Sequence, residues 1–200
     1  MKITVYNSKG GVGKTRLAIN LALTLDFAII TNDINTLTLE SVFPKENYLK
    51  LDKDQPLDVL DAEYDIVFDF GGFIDTRVST ALRQSDWVLI PTLPENDEVQ
   101  ATIDIIAEVE KINKNIIVIA NRTVGKGDFA YVEGAVNQFF TTSKNKPKYK
   151  VLEIKDSKAL PNITQEKKSI RAMVAEGGIK AYNYRKINEQ FEKLISLLTK

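Results

Sequence analysis

The sequence predicts an α/β fold in which a doubly wound, mostly parallel β-sheet is flanked by helices. Three observations support this fold class: short apolar runs recur along the chain, candidate helices separate most of them, and Gly, Pro, Asn or Asp follows most runs. The runs lack a strict alternation of apolar and polar side chains, which is typical of strands covered on both faces. Strands that alternate with helices require right-handed crossovers, and these connections produce an open parallel sheet.

Six runs are predicted strands because most of them are rich in β-branched or aromatic residues; they are 3–6, 27–30, 66–70, 87–91, 116–120 and 149–154. Five segments are predicted helices, namely 17–25, 74–84, 98–111, 131–140 and 181–198. The last helix is interpreted either as a terminal helix packed on the sheet or as a helix on a membrane surface. Acidic residues on its polar face favour the first interpretation, because membrane-surface helices are usually more basic.

The composition excludes several kinds of catalytic site. The 200 residues include no histidine and no cysteine, and 27 basic side chains balance 27 acidic ones. A disulfide framework, a thiolate metal site, an iron–sulfur cluster and an imidazole base are therefore excluded. Any catalysis has to use carboxylates, lysines, hydroxyl groups, backbone amides or a bound hard cation.

The length is that of one domain, so the expected organisation is a single domain over residues 1–200. The apolar runs are strand-sized and far shorter than the roughly 20 residues that a membrane-spanning helix needs. The segment at the start of the chain is too short and too polar for the apolar core of a signal peptide. We therefore expect a cytoplasmic protein.

A glycine-rich loop lies between the first predicted strand and the first predicted helix. It reads Ser8-Lys9-Gly10-Gly11-Val12-Gly13-Lys14-Thr15, with serine where the G-x-x-x-x-G-K-[ST] pattern has its first glycine. Glycines allow successive backbone amides to converge on a phosphate, and the N-terminus of the following helix adds positive potential. In this pattern Lys14 is expected to reach the β- and γ-phosphates, and the Thr15 hydroxyl to ligate Mg²⁺.

The run from Lys9 to Thr15 resembles the deviant Walker A box of the ParA/MinD family of P-loop ATPases. The resemblance implies that Lys9 is the signature lysine, which reaches the phosphates of a partner subunit in a nucleotide-sandwich dimer. It implies ATP or ADP as the ligand of Lys9, Gly10, Gly11, Val12, Gly13, Lys14 and Thr15. Arg16 departs from the family pattern, which usually has Thr or Ser there, and is expected either to pair with the α-phosphate or to face solvent.

Two aspartates stand at the ends of predicted strands, where α/β sheets bind ligands. The segment 64–72 resembles the Walker B strand of the same family, which implies that Asp69 supports Mg²⁺ together with Thr15. The segment 29–35 resembles the second acidic box, which implies that Asp33 orients the attacking water and that Thr31 replaces the first acid. In an alternative register Asn35 takes the water-orienting position, and hydrolysis is crippled. The implied catalytic residues are thus Asp33, Lys14 and Lys9.

Asn121 directly follows the strand predicted at 116–120. The resemblance implies that its amide contacts the edge of adenine, whose N6 and N7 suit amide donors and acceptors. The alternative is an ordinary turn residue at the end of a strand.

Charge is distributed unevenly along the chain. Residues 1–143 contain 13 basic and 21 acidic side chains, whereas residues 144–186 contain 12 basic and 4 acidic ones. Such a basic block is either a solvated surface or a site for phosphate-backbone contacts. Because ParA-type proteins bind nonspecific DNA through C-terminal basic residues, the resemblance favours DNA contacts. The candidates are Lys144, Lys146, Lys148, Lys150, Lys167, Lys168 and Arg171.

The resemblance as a whole implies a small ParA-type ATPase for plasmid or chromosome partition. Such a protein forms a Mg-ATP-dependent homodimer, binds nonspecific DNA, and hydrolyses ATP when a ParB-like or ribbon-helix-helix centromere-binding protein stimulates it. We expect a nucleoid-associated protein without stable membrane binding and without the N-terminal helix-turn-helix domain of longer members. Three alternatives remain: a MinD-like membrane-positioning ATPase, a biosynthetic P-loop ligase of the dethiobiotin-synthetase type, and a non-hydrolysing scaffold.

Overall fold

Seven strands form one parallel sheet in the computed structural model, which describes residues 1–33, 37–141 and 149–199. The strands are β1 Lys2–Asn7, β2 Ala28–Thr31, β3 Tyr48–Lys50, β4 Ile66–Gly71, β5 Trp87–Thr92, β6 Ile116–Thr123 and β7 Lys150–Lys155. Their spatial order is β3-β2-β4-β1-β5-β6-β7, and each pair of neighbours is parallel. Six of them coincide with the predicted strands to within one to three residues at each end.

Helices cover both faces of the sheet, which confirms the predicted doubly wound α/β fold. Eight α-helices lie within the described residues: α1 Lys14–Leu25, α2 Leu37–Val42, α3 Thr76–Gln84, α4 Asn96–Val109, α5 Asp128–Thr141, α6 Ala159–Glu166, α7 Ile170–Ala175 and α8 Gly178–Leu198. Side chains of α1, α6, α7 and α8 share one apolar cluster with the sheet, and those of α3, α4 and α5 share the other.

Strand β1 illustrates why the central strands lack alternation. Ile3 and Val5 face the cluster of α1, whereas Tyr6 faces the cluster on the opposite side of the sheet. All six residues of the strand are buried as a result. A strand buried on both faces has no polar face to display in its sequence.

Four short elements were not predicted from the sequence: β3, α2, α6 and α7. Elements this short have little stability of their own and depend on packing. Leu160 of α6 and Met173 of α7 are buried in the cluster that contains α1, and the side chain of Asn20 in α1 accepts a hydrogen bond from the amide of Ile170 at 2.9 Å. The basic block of the sequence therefore folds, in part, into two helices packed on α1.

Helix α8 packs its apolar face against the sheet, as the favoured interpretation of this segment predicts. Phe191 and Leu194 are buried there, and the Trp87 indole of β5 donates a hydrogen bond to the Leu198 carbonyl at 3.2 Å. Since these side chains already occupy the core, the same face cannot lie on a membrane. In the part of the chain that the structure describes, no helix is both long and apolar enough to cross one.

Replacing Phe191 with Ala should destabilise the fold, because the side chain is only 1% exposed and its loss leaves a cavity under α8. We expect the free energy of unfolding to fall by about 3–5 kcal/mol, measured by urea denaturation. Tyr182→Ala on the same helix is the matched control, since Tyr182 is 82% exposed. Equal losses in the two variants would contradict this packing.

Candidate functional site

The candidate site lies at the carboxyl ends of the central strands, where the glycine-rich loop connects β1 to α1. Strand β1 has β4 on one side and β5 on the other, so the connections on its two sides run in opposite directions and leave a crevice. Gly11 and Gly13 have φ angles of 79° and 92°, a region that side chains with a Cβ rarely adopt. Helix α1 begins directly afterwards, at Lys14.

Asn121 holds the loop from the side of β6. Its amide nitrogen donates a hydrogen bond to the Val12 carbonyl at 2.7 Å, and the side chain is only 4% exposed. A Cβ on Gly13 would lie 2.3 Å from the same nitrogen, so only glycine allows this close approach. The adenine contact assigned to Asn121 stays a prediction, and its amide nitrogen is engaged with the loop.

Asn7, which the sequence analysis passed over, holds the loop from the other side. The Oδ1 atom of its side chain accepts a hydrogen bond from the backbone amide of Lys9 at 2.8 Å. Its amide nitrogen donates to the Pro91 carbonyl at 2.8 Å and to the Thr102 hydroxyl at 3.2 Å. The signal in the sequence was a polar residue at the end of an apolar strand, directly before the glycine loop. Asn7 thus joins the start of the loop to β5 and α4.

Lys14 extends along the loop toward β4. Its ammonium group donates a hydrogen bond to the Lys9 carbonyl at 2.6 Å. Its side chain passes over Gly71, where an added Cβ would lie 3.0 Å from Lys14 Cε. Burial lowers the pKa of Lys14, and the charges of Asp69 and Asp33 oppose that shift. The Lys9 side chain is exposed.

Asp69 is a buried carboxylate at the end of β4. It is 3% exposed, and within the described residues its Oδ2 atom is buried without a hydrogen-bond partner. Burial raises the pKa of Asp69 to about 6, while the hydrogen bond from Thr15 and the charge of Lys14 lower it. A buried oxygen without a partner costs free energy, so a cation at this position would satisfy it.

The loop after β2 meets the end of β4 through polar contacts. The Thr31 hydroxyl donates to the Asp69 carbonyl at 2.9 Å and accepts from the amide of Asp33 at 3.0 Å. The Asn32 side chain forms two hydrogen bonds with the backbone of Gly71, at 2.9 Å and 3.0 Å. Asn32 gave no signal in the sequence beyond its place after a strand. Asn35, which belongs to the alternative register, lies outside the described residues.

These groups surround one cavity of about 330 Å³, lined by Lys14, Thr15, Asn32, Asp33, Asp69, Gly71 and Gly72. The donor set fits a hard cation such as Mg²⁺, which takes oxygen ligands and is usually bound by one or two carboxylates together with phosphates and water. Among the described residues no group of three or more acidic side chains could hold a metal alone. The phosphates of a ligand would therefore have to complete such a site.

Arg16 lines a second cavity, also about 330 Å³, at the ends of β6 and β7. The structure thus places Lys14 and Arg16, two residues apart at the start of α1, at two different cavities. The loop that carries Gly10, Gly11 and Gly13 leads directly into this first turn of α1.

The predicted DNA contacts are only partly within the described residues, because Lys144, Lys146 and Lys148 lie outside them. Lys150 begins β7, and Lys167 follows α6. Lys168 pairs with Glu176, and Arg171 forms hydrogen bonds of 2.7 Å and 2.6 Å with the carboxylate of Glu192. These ion pairs neutralise part of the basic block, an effect that counting charges along the chain does not reveal.

The chain is similar, at low sequence identity, to several solved structures over almost its whole length. A putative plasmid partition protein from Borrelia burgdorferi bound to AMPPNP is 20% identical, with a TM-score of 0.55 and coverage of 96% of this chain and 98% of that one. MinD from Pyrococcus horikoshii complexed with Mg-ADP is 16% identical, with a TM-score of 0.67 and 98% coverage of each chain. A Cyanothece McdA variant in complex with ATP is 17% identical, with a TM-score of 0.66 and coverage of 100% and 96%. No family model matches the chain, and no curated protein sequence matches it significantly. At these identities the similarity shows that the chain has the P-loop NTPase fold of these proteins.

Gly13→Ala should disrupt the loop, because the new Cβ would collide with Asn121 and the backbone would keep a strained φ of 92°. We expect a loss of roughly 2 kcal/mol or more in the free energy of unfolding of the nucleotide-free protein, measured by urea denaturation. Gly10→Ala is the matched control, since nothing lies within 4 Å of a Cβ there. If both alanines are tolerated equally, the contact between Asn121 and the loop is wrong.

Asp69→Asn should change the pH dependence of stability in the metal-free protein. The pKa of Asp69 is raised to about 6, so its protonated form contributes stability that is fully present below the unfolded-state pKa of about 3.9 and is lost as pH rises through 6. Relative to wild type, the Asn variant should therefore gain up to about 3 kcal/mol in the free energy of unfolding between pH 4 and pH 8.

Urea denaturation at several pH values would measure this gain. Asp33→Asn is the matched control, because it removes an exposed carboxylate from the same cavity. A stability difference between wild type and Asp69→Asn that stays constant from pH 4 to pH 8 would contradict the burial of this carboxylate.

Proposed function

We propose that this protein is a ParA-type ATPase that binds Mg-ATP at loop 9–15 and acts in plasmid or chromosome partition. One observation carries the nucleotide and metal part of the proposal. The Oδ2 atom of Asp69, which has no hydrogen-bond partner among the described residues, lies in a buried site beside Thr15 and Lys14, at the end of a glycine loop. The resemblance of the motifs and the similarity to a plasmid partition structure bound to AMPPNP support the biological role.

The glycine loop and four side chains of the cavity at Asp69 have roles in this proposal. The backbone amides of Gly10 to Gly13 and the N-terminus of α1 bind the phosphates, and Lys14 neutralises the charge on the β- and γ-phosphates. Thr15 and Asp69 hold Mg²⁺, which supplies further neutralisation of the phosphate charge when bound. Asp33 orients the attacking water from the loop after β2.

Lys9 acts in the site of a second subunit. Its side chain is exposed, whereas its backbone is fixed at both ends, by the hydrogen bond to Asn7 and by the one from Lys14. A fixed backbone that presents an exposed lysine side chain suits a contact across an interface. The ATP-bound homodimer then binds nonspecific DNA through the basic block, and a centromere-binding protein that is ParB-like or of the ribbon-helix-helix type stimulates hydrolysis. The proposed location is the cytoplasm, on the nucleoid.

A MinD-like positioning ATPase is the second candidate. The structural similarity favours it, because the TM-score to MinD from Pyrococcus horikoshii is 0.67, against 0.55 for the plasmid partition protein. The two candidates share the ATP site and the dimer but differ in the surface that the dimer binds. DNA is the expected surface for the first candidate, and an anionic membrane for the second.

A binding titration tests the proposal. Wild-type protein is titrated with duplex DNA and, separately, with anionic liposomes, in the presence of ATP, ADP or no nucleotide and at low and raised salt. We expect DNA binding only with ATP, together with a steep loss of affinity at raised salt because phosphate contacts release counterions. Binding to DNA that is absent or independent of ATP would overturn the partition role, and ATP-dependent binding to liposomes alone would favour the MinD-like candidate.

Lys9→Ala separates ATP binding from dimerisation in the same experiment. The variant should bind ATP but stay monomeric in sedimentation analysis and lose its ATP-dependent binding to DNA. Lys45→Ala is the matched control, because Lys45 is exposed and lies next to the edge strand β3, away from the loop. A Lys9→Ala variant that still dimerises with ATP would show that Lys9 does not act across subunits.

A further inference from the structure

The second cavity, at the ends of β6 and β7, carries an unusual concentration of positive charge. Its lining residues are Arg16, Arg122, Asp156, Ser157, Lys158, Leu160 and Pro161. Three of these side chains are cations and one is an acid, so the lining has a formal charge of +2. The cavity is separate from the one at Asp69, which shares none of these residues.

The three cations of this cavity share its lining with a single acidic side chain, that of Asp156. Within the described residues, Arg16, Arg122 and Lys158 form no ion pair. Cations of α7, α8 and the turn before α7 do form such pairs: Lys168 with Glu176, Arg171 with Glu192, and Lys180 with Glu166. Three unpaired cations around one concave surface repel each other, and an anion between them would remove that repulsion.

The backbone directs Arg122 toward this cavity at an energetic cost. Arg122 has a φ of 54°, and the pairing of β6 with β7 shifts register between Asn121 and Thr123. A left-handed conformation costs a residue other than glycine about 1 kcal/mol or more, and a bulge of this kind changes the direction in which a side chain points. The amide of Asp156 donates to the Thr123 carbonyl at 3.0 Å, which keeps the loop after β7 against the bulge.

The two cavities lie on opposite sides of loop 9–15, because β2 and β4 are on one side of β1 in the sheet and β6 and β7 are on the other. Lys14, Thr15 and Asp69 mark the first side, beside β2 and β4, whereas Arg16 and Arg122 mark the second, beside β6 and β7. If the proposed function is correct and the terminal phosphates lie on the first side, the nucleoside reaches the second. This inference rests on the proposed function in that respect.

We propose that the second cavity binds a phosphate group carried on the ribose of the nucleotide, so that the protein takes a ribose-phosphorylated nucleotide as a ligand. The base and an unmodified ribose are neutral and give three cations nothing to pair with, whereas a phosphate dianion matches the charge of +2. Guanidinium groups bind phosphate through two parallel hydrogen bonds, which suits Arg16 and Arg122. Lys158 adds a third, flexible donor at the start of α6.

Calorimetric titration of the full-length protein tests this inference. The probes are AMP, adenosine 2′,5′-bisphosphate and adenosine 3′,5′-bisphosphate at one ionic strength, with ATP titrated in the same series. We expect one of the two bisphosphates to bind at least about tenfold more tightly than AMP, since charge-assisted hydrogen bonds are stronger than neutral ones. The better bisphosphate identifies the ribose position that carries the phosphate.

Arg122→Asn and Lys158→Gln should each remove most of this preference and leave the affinity for AMP within about twofold. Asparagine tolerates the left-handed backbone of residue 122, so the first variant should keep the bulge. Lys111→Asn is the matched control, because Lys111 is an exposed cation between α4 and the amino end of β6, whereas the second cavity lies at the carboxyl end of that strand. The control should retain the full preference for the bisphosphate.

Two outcomes would overturn the inference while leaving the proposed function intact. One is that ATP binds but both bisphosphates bind no better than AMP. The other is that Arg122→Asn and Lys158→Gln weaken AMP and the bisphosphates by the same factor, which would mean that the cations serve the ordinary 5′-phosphate. If ATP fails to bind to the wild-type protein, the proposed function is wrong and this inference falls with it.

Discussion

The burial of the Asp69 carboxylate is the constraint around which the site is arranged. Strand β4 lies between β1 and β2 and is covered on both faces, so the carboxylate at its end is removed from water. Because burial favours the neutral form, the ionised carboxylate needs compensation. Thr15 and Lys14 supply part of it, and both come from the first turn of α1. The unpartnered oxygen of Asp69 remains, and it explains why the cavity suits a cation together with the phosphates of a ligand.

Two buried asparagines determine where the loop lies relative to this carboxylate. Asn7 fixes the amide of Lys9, and Asn121 fixes the carbonyl of Val12. Side-chain amides can serve here because each offers both a donor and an acceptor to a backbone that forms no strand or helix. They also connect the loop to both sides of the sheet, since Asn7 contacts β5 and α4 while Asn121 belongs to β6. The loop is thus connected by hydrogen bonds to α4, β5 and β6.

The local charge of the folded surface differs from the charge of the corresponding sequence segments, because folding brings residues from different segments together. The formal net charge is zero, and the block from 144 to 186 is strongly basic. Folding, however, brings an acid of α6, an acid of α8 and the acid directly after α7 to several of its cations. Exposed pairs of this kind contribute little to stability, although they do lower the local positive potential. Among the described residues, the cations without an ion pair include Arg16 and Arg122, which come from outside the block and line the second cavity together with Lys158.

The sequence by itself determined the fold class, the six longer strands and the glycine loop, because burial on two faces and convergence of amides on a phosphate each impose a local pattern of residues. The same patterns placed Lys14, Thr15, Asp33 and Asp69 near the carboxyl ends of strands or in the first turn of a helix, and their roles stay predictions. Only the tertiary structure decided the rest. The roles of Asn7 and Asn121 as supports of the loop depend on contacts between residues about a hundred positions apart. The short elements β3, α2, α6 and α7 exist because neighbouring elements cover them. The pairing of cations with acids, and the cluster that stays unpaired, follows from which surfaces folding brings together, and no local pattern in a sequence encodes that.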